Sequence, residues 1–195
     1  MGSANATIAC SGPSVGNDTS GPALCITLNS DGSTSVVNGP GSSQGPYDGV
    51  EDTYIGVVNN TSAAVGSITL SSTQDIFGFD GDGIGGGSYA GQTGTQQYGT
   101  PNGSDTSGYG GPNGYFTGIT TIAGVETGIL NFITPLAGNG GNTFFSLEEA
   151  LDSASFTTQI GGTTPLPGAL PLFTTGLGVI TLLARSKKRK AVTAA

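Results

Sequence analysis

The charges of this chain are separated into a long acidic part and a short basic end. All five Lys and Arg residues lie between positions 185 and 190, whereas all thirteen Asp and Glu residues precede position 153. Nucleic-acid binding requires cations that face the phosphates, so this distribution excludes nucleic acid as a partner of the acidic part. The same acidic charge favours solubility and attracts divalent metal ions.

An apolar segment directly precedes the basic end. Residues 166–184 carry no charge, and a helix of that length extends about 28 Å, close to the roughly 30 Å of a hydrocarbon core. Since basic residues mark the cytoplasmic side, we predict a transmembrane helix over residues 166–184 and a cytoplasmic tail over residues 185–195. The basic stop-transfer cluster consists of Arg185, Lys187, Lys188, Arg189 and Lys190.

The alternative for the apolar segment is a buried C-terminal helix of a soluble domain. Pro167 and Pro171 suit the start of a helix better than its middle, which leaves about fourteen residues for an uninterrupted span. A span of this marginal length is what we expect for an anchor that is later removed by processing.

The residues at the front of the apolar segment resemble a known sorting signal. In order they are Pro165, Leu166, Pro167, Gly168, Ala169, Leu170 and Pro171. With the apolar helix and the basic cluster, they resemble the PEP-CTERM signal of bacterial exported proteins in its PLPGALPLF variant. The Glu of the common Pro-Glu-Pro form is missing, and ARSK at residues 184–187 replaces the frequent Trp-Arg-Arg. The resemblance implies export, transient anchoring in the inner membrane, and cleavage by an exosortase, a membrane-embedded cysteine protease.

Composition before the tail favours short strands joined by turns. The chain has 36 Gly, no Trp and no His, and its large apolar residues cluster in strand-length runs. These runs predict an all-β fold, namely a jelly-roll-like, two-layer antiparallel β-sandwich over residues 23–160. The alternative is that these residues are disordered, because high net charge and few large apolar residues weaken a core. The runs are residues 23–28, 34–37, 53–58, 65–70, 76–79, 115–116, 119–122, 128–133, 143–147 and 156–160.

Three connecting segments complete the predicted organisation. Residues 85–114 are rich in Gly without periodicity, and we predict a long surface loop between the sheets. We predict a helical turn over residues 148–151 and a linker over residues 161–165. The loop carries Tyr89, Tyr98 and Tyr109, which either stack against polysaccharide or are inert surface residues.

Part of the predicted sandwich also resembles a recurring ectodomain of PEP-CTERM proteins. The resemblance rests on residues 50–60 (VEDTYIGVVNN), 77–84 (FGFDGDGI) and 143–148 (TFFSLE), and it spans roughly residues 20–150. It implies an exported β-rich domain and carries no established activity.

Residues 1–22 form a predicted N-terminal segment outside the sandwich. The sequence from Ala4 to Ala6 fits the end of a signal-peptide cleavage site, and we expect the signal peptide to lie upstream. Cys10 and Cys25 are the only cysteines. In an exported protein they most simply form a disulfide, and the alternative is a pair of free thiols.

Asp80 and Asp82 are the candidate metal ligands, because two carboxylates at alternate positions of a turn occur in Ca²⁺ loops. The turn fails the EF-hand pattern, which needs oxygens further along the loop. A looser Ca²⁺ site would recruit Asp75, or else Asp48, Glu51 and Asp52, from other segments. The alternative is a solvated turn that binds no metal.

The residue inventory argues against an enzyme. Without His there is no Ser-His or Cys-His pair, and without Lys or Arg before the tail there is no cationic clamp. The remaining carboxylate pairs are Glu148 with Glu149 and Glu51 with Asp52. Neighbours on a strand point to opposite faces, so neither pair converges without help from other segments.

We therefore expect a non-enzymatic exported protein of a Gram-negative envelope or biofilm matrix. Its expected partners are the exosortase, the inner membrane before processing, and exopolysaccharide in a structural or adhesive role at the cell surface. The alternatives are a Ca²⁺-assisted carbohydrate-binding module and, more distantly, a secreted glycoside hydrolase.

Overall fold

The computed structural model describes residues 10–84 and 108–161, and these residues form strands and turns with almost no helix. The described ranges contain eight strands and a short 3₁₀ helix over Gly111–Asn113. The strands are β1 (Leu24–Leu28), β2 (Thr34–Asn38), β3 (Thr53–Asn59), β4 (Val65–Ser72), β5 (Gly114–Ile122), β6 (Val125–Leu136), β7 (Gly141–Leu147) and β8 (Phe156–Ile160). The all-β prediction is confirmed.

The strands form two four-stranded sheets. The first has the order β2-β1-β3-β7 and the second β5-β6-β4-β8. All pairs are antiparallel except β1 with β3, which are parallel with Leu24 opposite Ile55. The prediction of purely antiparallel sheets is wrong at this pair. The physical reason lies in the connection. β2 pairs with one edge of β1, and residues 39–52 then bring the chain back to the end at which β1 starts. β3 therefore begins beside the start of β1 and runs in the same direction on its other edge.

The main apolar core contains residues of both sheets, as expected for a two-layer β-sandwich. Ile26 and Ile55 of the first sheet share this cluster with Leu70 and Leu130 of the second. The rings of Phe116 on β5 and Phe145 on β7 meet across the layers, with centroids 6.0 Å apart. Side chains along β4 alternate between buried and accessible positions, which is typical of a strand with one face on the core.

The outer face of the first sheet is covered by the segment before β1. Every residue of β3 is buried, because Tyr54 packs with Val15 on that face while Cys10, Cys25 and Val58 form a further apolar cluster. Cys10 and Cys25 are joined by a disulfide, with their Cα atoms 5.7 Å apart. The described residues from position 10 onward therefore pack against the sandwich, whose first strand begins at Leu24.

Most predicted strand runs coincide with strands, with three differences. The run at residues 128–133 is only the middle of β6, which extends over Val125–Leu136. The runs at residues 115–116 and 119–122 belong to one strand, β5, which is interrupted by a bulge between Thr117 and Thr120. Residues 76–79 lie outside the strands, although Ile76 and Phe77 are buried. An apolar run can fill the core from a turn as well as from a strand, so its pattern alone could not separate the two.

Residues 148–151 do not form the predicted helical turn. Glu149 has a positive φ of 74°, outside the right-handed helical region. Two backbone groups of this segment bond to the side chain of Thr53 instead, and the Glu148 N–H donates to the Ile76 carbonyl at 3.3 Å. Thr53 Oγ1 donates to the Glu149 carbonyl at 2.7 Å and accepts from the Leu151 N–H at 2.8 Å.

The end of the predicted Gly-rich loop is part of the core. Tyr109 is fully buried and the 3₁₀ helix follows it, so the surface-loop prediction is wrong for residues 108–114. A Cβ at Gly83 would lie 2.6 Å from the Tyr109 ring, which shows that glycine leaves the space this ring fills. Residues 85–107, including Tyr89 and Tyr98, lie outside the described residues.

The predictions for the C-terminal tail also fall outside the described residues. They are the linker beyond residue 161, the sorting motif at residues 165–171, the transmembrane helix at 166–184 and the basic cluster in residues 185–195. Within residues 10–84 and 108–161, no helix has the length and apolar character needed to cross a membrane.

Candidate functional site

A group of carboxyl side chains, here called the acidic cluster, lies at one end of the first sheet. It consists of Asp52, Asp82 and Glu148, with Asp80 at its edge. One carboxylate oxygen from each of the first three residues lies within 4.8 Å of the others. Asp52 and Glu148 are buried, Asp82 is partly buried and Asp80 is exposed, so the cluster extends from the interior to the surface.

The pairing of β3 with β7 explains why two of these carboxyls meet. Asp52 directly precedes β3 and Glu148 directly follows β7. The strands are antiparallel and Thr53 lies opposite Leu147, so the start of β3 and the end of β7 occupy the same end of the sheet. Asp82 reaches this end from the turn after Phe79.

Tyr47 supports the buried side of the cluster. Its hydroxyl donates to Asp52 Oδ2 at 2.6 Å and also lies 3.3 Å from the Asp82 carbonyl oxygen. The other oxygen, Asp52 Oδ1, is buried without a hydrogen-bond partner among the described residues. Buried polar atoms normally have a partner, so this oxygen requires either a proton shared with the neighbouring Asp82 carboxyl or a cation.

Tyr109 faces the remaining carboxyls. Its hydroxyl lies at hydrogen-bonding distance from Glu148 Oε1, from Asp82 Oδ1 at 2.8 Å and from Asp80 Oδ1 at 3.2 Å. A phenol has one hydrogen and cannot donate fully to three acceptors at once. The Asp80 N–H adds one donor, to Glu148 Oε1 at 2.9 Å, and the acceptors still outnumber these donors.

Aromatic packing holds Tyr109 in place. The Phe79 ring stacks on it with a centroid distance of 4.3 Å, and Phe79 in turn packs against Phe116 of the core. On the opposite side, the Ser146 N–H donates to the Tyr109 carbonyl at 2.8 Å. The hydroxyl is therefore positioned by the sandwich itself.

The local electrostatics are those of acids without a counter-ion. No Lys, Arg or His occurs between residues 10 and 161. Burial raises the pKa of Asp52 to about 9, and the charges of Glu148 and Asp82 add to this effect. Burial also raises the pKa of Asp82, whereas its hydrogen bond to Asp80 lowers the pKa of Asp80. Either protons or a cation must therefore offset the negative charge of the cluster.

The structure brings together some of the predicted metal ligands and not others. Asp82 belongs to the cluster, Asp80 lies at its exposed edge, and Asp52 is recruited from the segment before β3. Glu51 and Asp75 do not contribute to it, and Asp48 instead accepts three backbone N–H bonds from residues 50–52.

Glu148, Tyr47 and Tyr109 were missed as members of this site. The available signal was that Asp52 immediately precedes one predicted strand and Glu148 immediately follows another. It becomes informative only once β3 and β7 are known to be antiparallel neighbours.

The two residues of each carboxylate pair considered for catalysis differ in burial. Asp52 is buried while Glu51 is exposed, and Glu148 is more buried than Glu149. Asp52 and Glu148 instead approach each other from just before β3 and just after β7.

A further buried carboxyl lies apart from the acidic cluster. Asp18 is 0% exposed, and neither of its carboxylate oxygens has a hydrogen-bond partner among the described residues. Burial raises the pKa of Asp18 to about 7. It lies in the segment that covers the outer face of the first sheet, close enough to Tyr54 to raise the pKa of that phenol together with burial.

Comparisons with protein-family models, with curated proteins and with solved structures found no match to this chain.

Proposed function

We propose that this chain is a non-enzymatic exported protein of the cell envelope or extracellular matrix, sorted and cleaved by an exosortase at its C-terminal signal. The observation that carries the proposal is the sequence of the tail. PLPGALPLF at residues 165–173 is followed by an uncharged segment and then by every basic residue of the chain. The first element resembles a recognition motif, and the other two suit a transient anchor with a cytoplasmic stop.

Two features of the described domain support the export part of this proposal. The disulfide between Cys10 and Cys25 suits an oxidising compartment, because thiols are kept reduced in the cytosol. It joins the segment before β1 to the first sheet. Residues 10–161 also carry no basic side chain, so they contain no charge of the kind that resists translocation.

The proposed role at the surface is structural or adhesive. The described residues place buried carboxyls at the end of a β-sandwich and carry no His, so nucleophile–His catalysis lacks its base. A compact domain with an acidic surface suits a component of a hydrated exopolysaccharide matrix.

The test uses variants of the motif in a host that has an exosortase and in the same host without it. We expect the wild-type chain to lose its basic tail only in the first host. Pro165→Ala combined with Pro167→Ala should abolish this cleavage, while Thr193→Ala, a control in the tail, should leave it intact. Equal processing of the double variant, or processing without the exosortase, would contradict the proposal.

A further inference from the structure

The acidic cluster combines close carboxylate oxygens with a buried oxygen that lacks a hydrogen-bond partner. Asp52 is 1% exposed, and its Oδ1 has no partner among the described residues. The same carboxyl belongs to the group in which oxygens of Asp52, Asp82 and Glu148 lie within 4.8 Å of one another. These are two separate observations, one of geometry and one of an unmet contact.

The spacing of these oxygens matches a single ion. Oxygens bound to one Ca²⁺ at about 2.3–2.6 Å are separated by at most about 5 Å, and the three carboxylate oxygens satisfy this limit. The hydroxyls of Tyr47 and Tyr109 hold the carboxyls from the protein side. Carboxyl orientation in the cluster is therefore set before any ion arrives.

The chemistry of the ligands selects a hard cation. All three offer carboxylate oxygen, and His and Cys, which transition metals favour, are absent from the group. Two of the carboxyls are buried, so the ion must give up much of its water. Ca²⁺ accepts such irregular, partly dehydrated sites more readily than Mg²⁺, which retains its waters and demands near-ideal octahedral geometry.

We propose that Asp52, Asp82 and Glu148 together bind one Ca²⁺ ion at the end of the first sheet, with Asp80 on the solvent side. The ion joins the start of β3, the turn after Phe79 and the end of β7. It therefore stabilises the end of the sandwich, where three segments that are distant in sequence meet. This inference is independent of the proposal about sorting.

The experiment is a thermal unfolding series on the full chain after treatment with EDTA. Ca²⁺ at about a hundred-fold excess over its Kd should raise Tm by about 5–10 °C. Mg²⁺ at the same concentration should give a clearly smaller rise. Asp82→Asn should remove most of the Ca²⁺ effect, and it changes a partly exposed turn residue, so the variant is expected to fold.

The matched control is Glu51→Gln. Glu51 is exposed, and desolvation together with the charges of Glu148 and Glu149 raises its pKa. The substitution therefore removes one nearby negative charge without removing a ligand. We expect this variant to retain the full Ca²⁺ effect. If Glu51→Gln and Asp82→Asn reduced the Ca²⁺-induced rise in Tm equally, Ca²⁺ would only be screening the surface charge. That result would overturn the proposal.

Luminescence of Tb³⁺, which replaces Ca²⁺ at oxygen sites, provides a direct measurement. The chain has no Trp, so emission excited in the tyrosine absorption band comes from tyrosine. Tyr47 and Tyr109 contact the proposed ligands. Emission at one ion per chain that Ca²⁺ displaces is the expected result. Absence of sensitised emission, or emission that persists in Asp82→Asn, would overturn the proposal.

Discussion

At the scale of single residues, the chemistry of this domain is set by buried carboxyls without basic partners. Asp18 and Asp52 are almost fully buried, and each has an oxygen without a hydrogen-bond partner among the described residues. In most proteins an Arg or a Lys would pair with such groups. Here no basic residue occurs in residues 10–161, so the buried carboxyls make stability depend on protons or cations.

Asp18 gives the pH dependence that is easiest to isolate. Burial raises its pKa from 3.8 to about 7, so the folded state favours the protonated carboxyl. The stability that the protonated Asp18 carboxyl contributes to the folded state is fully present below about pH 4 and is lost as pH rises through 7. Since the pKa of Asp18 rises by about three units at about 1.4 kcal/mol each, Asp18→Asn should be up to about 4 kcal/mol more stable than wild type at pH 8 and nearly equal to it at pH 4. Urea unfolding at both pH values measures this difference.

Asp31→Asn is the control of opposite sign. Asp31 is exposed, and its hydrogen bonds from Ser33 lower its pKa. Its contribution is present above the unfolded pKa and disappears as pH falls through the folded value. Asp31→Asn should lose stability at pH 8 and recover toward wild type in acid. A stability change in Asp18→Asn that does not vary with pH would refute the assignment.

The sequence predicted part of the acidic cluster and missed part of it for a definable reason. Asp80 and Asp82 were recognisable because they lie in one short turn, where spacing alone brings carboxylates together. Glu148 joins them only through the pairing of Thr53 with Leu147, and strand partners are not encoded in local pattern. Tyr109 was assigned to a surface loop because glycine surrounds it, whereas that glycine makes room for its buried ring.

At the scale of elements, strand β3 lies between the apolar core on one face and the covering N-terminal segment on the other. Its inner face contributes Ile55 and Val57 to the core, and its outer face is covered by the segment that carries Cys10. A disulfide that closes a loop of this size contributes up to about 3 kcal/mol. The apolar runs predicted β3, but the covering segment has too few large apolar residues for its position to be recognised.

The same limit applies to the order of the strands. Short apolar runs located six of the eight strands closely, covered only the middle of β6, and predicted the bulged strand β5 as two pieces. The parallel neighbours β1 and β3 were not foreseen, because residues 39–52 show no periodicity that distinguishes a return crossing from a surface loop. Topology depends on contacts between distant segments, which one sequence does not reveal.

Two glycines with positive φ allow the stability cost of backbone strain to be distinguished from the cost of a steric overlap. Gly111 (φ 66°) precedes β5, and a Cβ there would overlap the carbonyl oxygen of Phe144. Gly32 (φ 83°) lies in the β1–β2 turn, with nothing within 4 Å of its Cβ position. We expect Gly32→Ala to cost about 1 kcal/mol from strain alone and Gly111→Ala more than about 2 kcal/mol. Chemical denaturation compares them, and equal losses would contradict the close approach of the 3₁₀ helix to β7.

At the scale of the whole molecule, all basic residues lie in the C-terminal tail and none lies in the described domain. The described domain is a disulfide-linked β-sandwich whose negative charge suits secretion and a hydrated matrix. The tail carries the proposed address, consisting of a motif, an apolar segment and a basic stop. We propose that the domain acts outside the cell and that the tail serves only to deliver it.

The most direct measurement is the intact mass of the protein recovered from the surface and medium of the producing organism. Processing at the motif predicts a chain that ends near residues 163–167, so that the apolar segment and all five basic residues are absent from the mature form. A chain recovered from the inner membrane with RSKKRK still attached would identify a permanent single-span anchor, and the proposed sorting would be wrong.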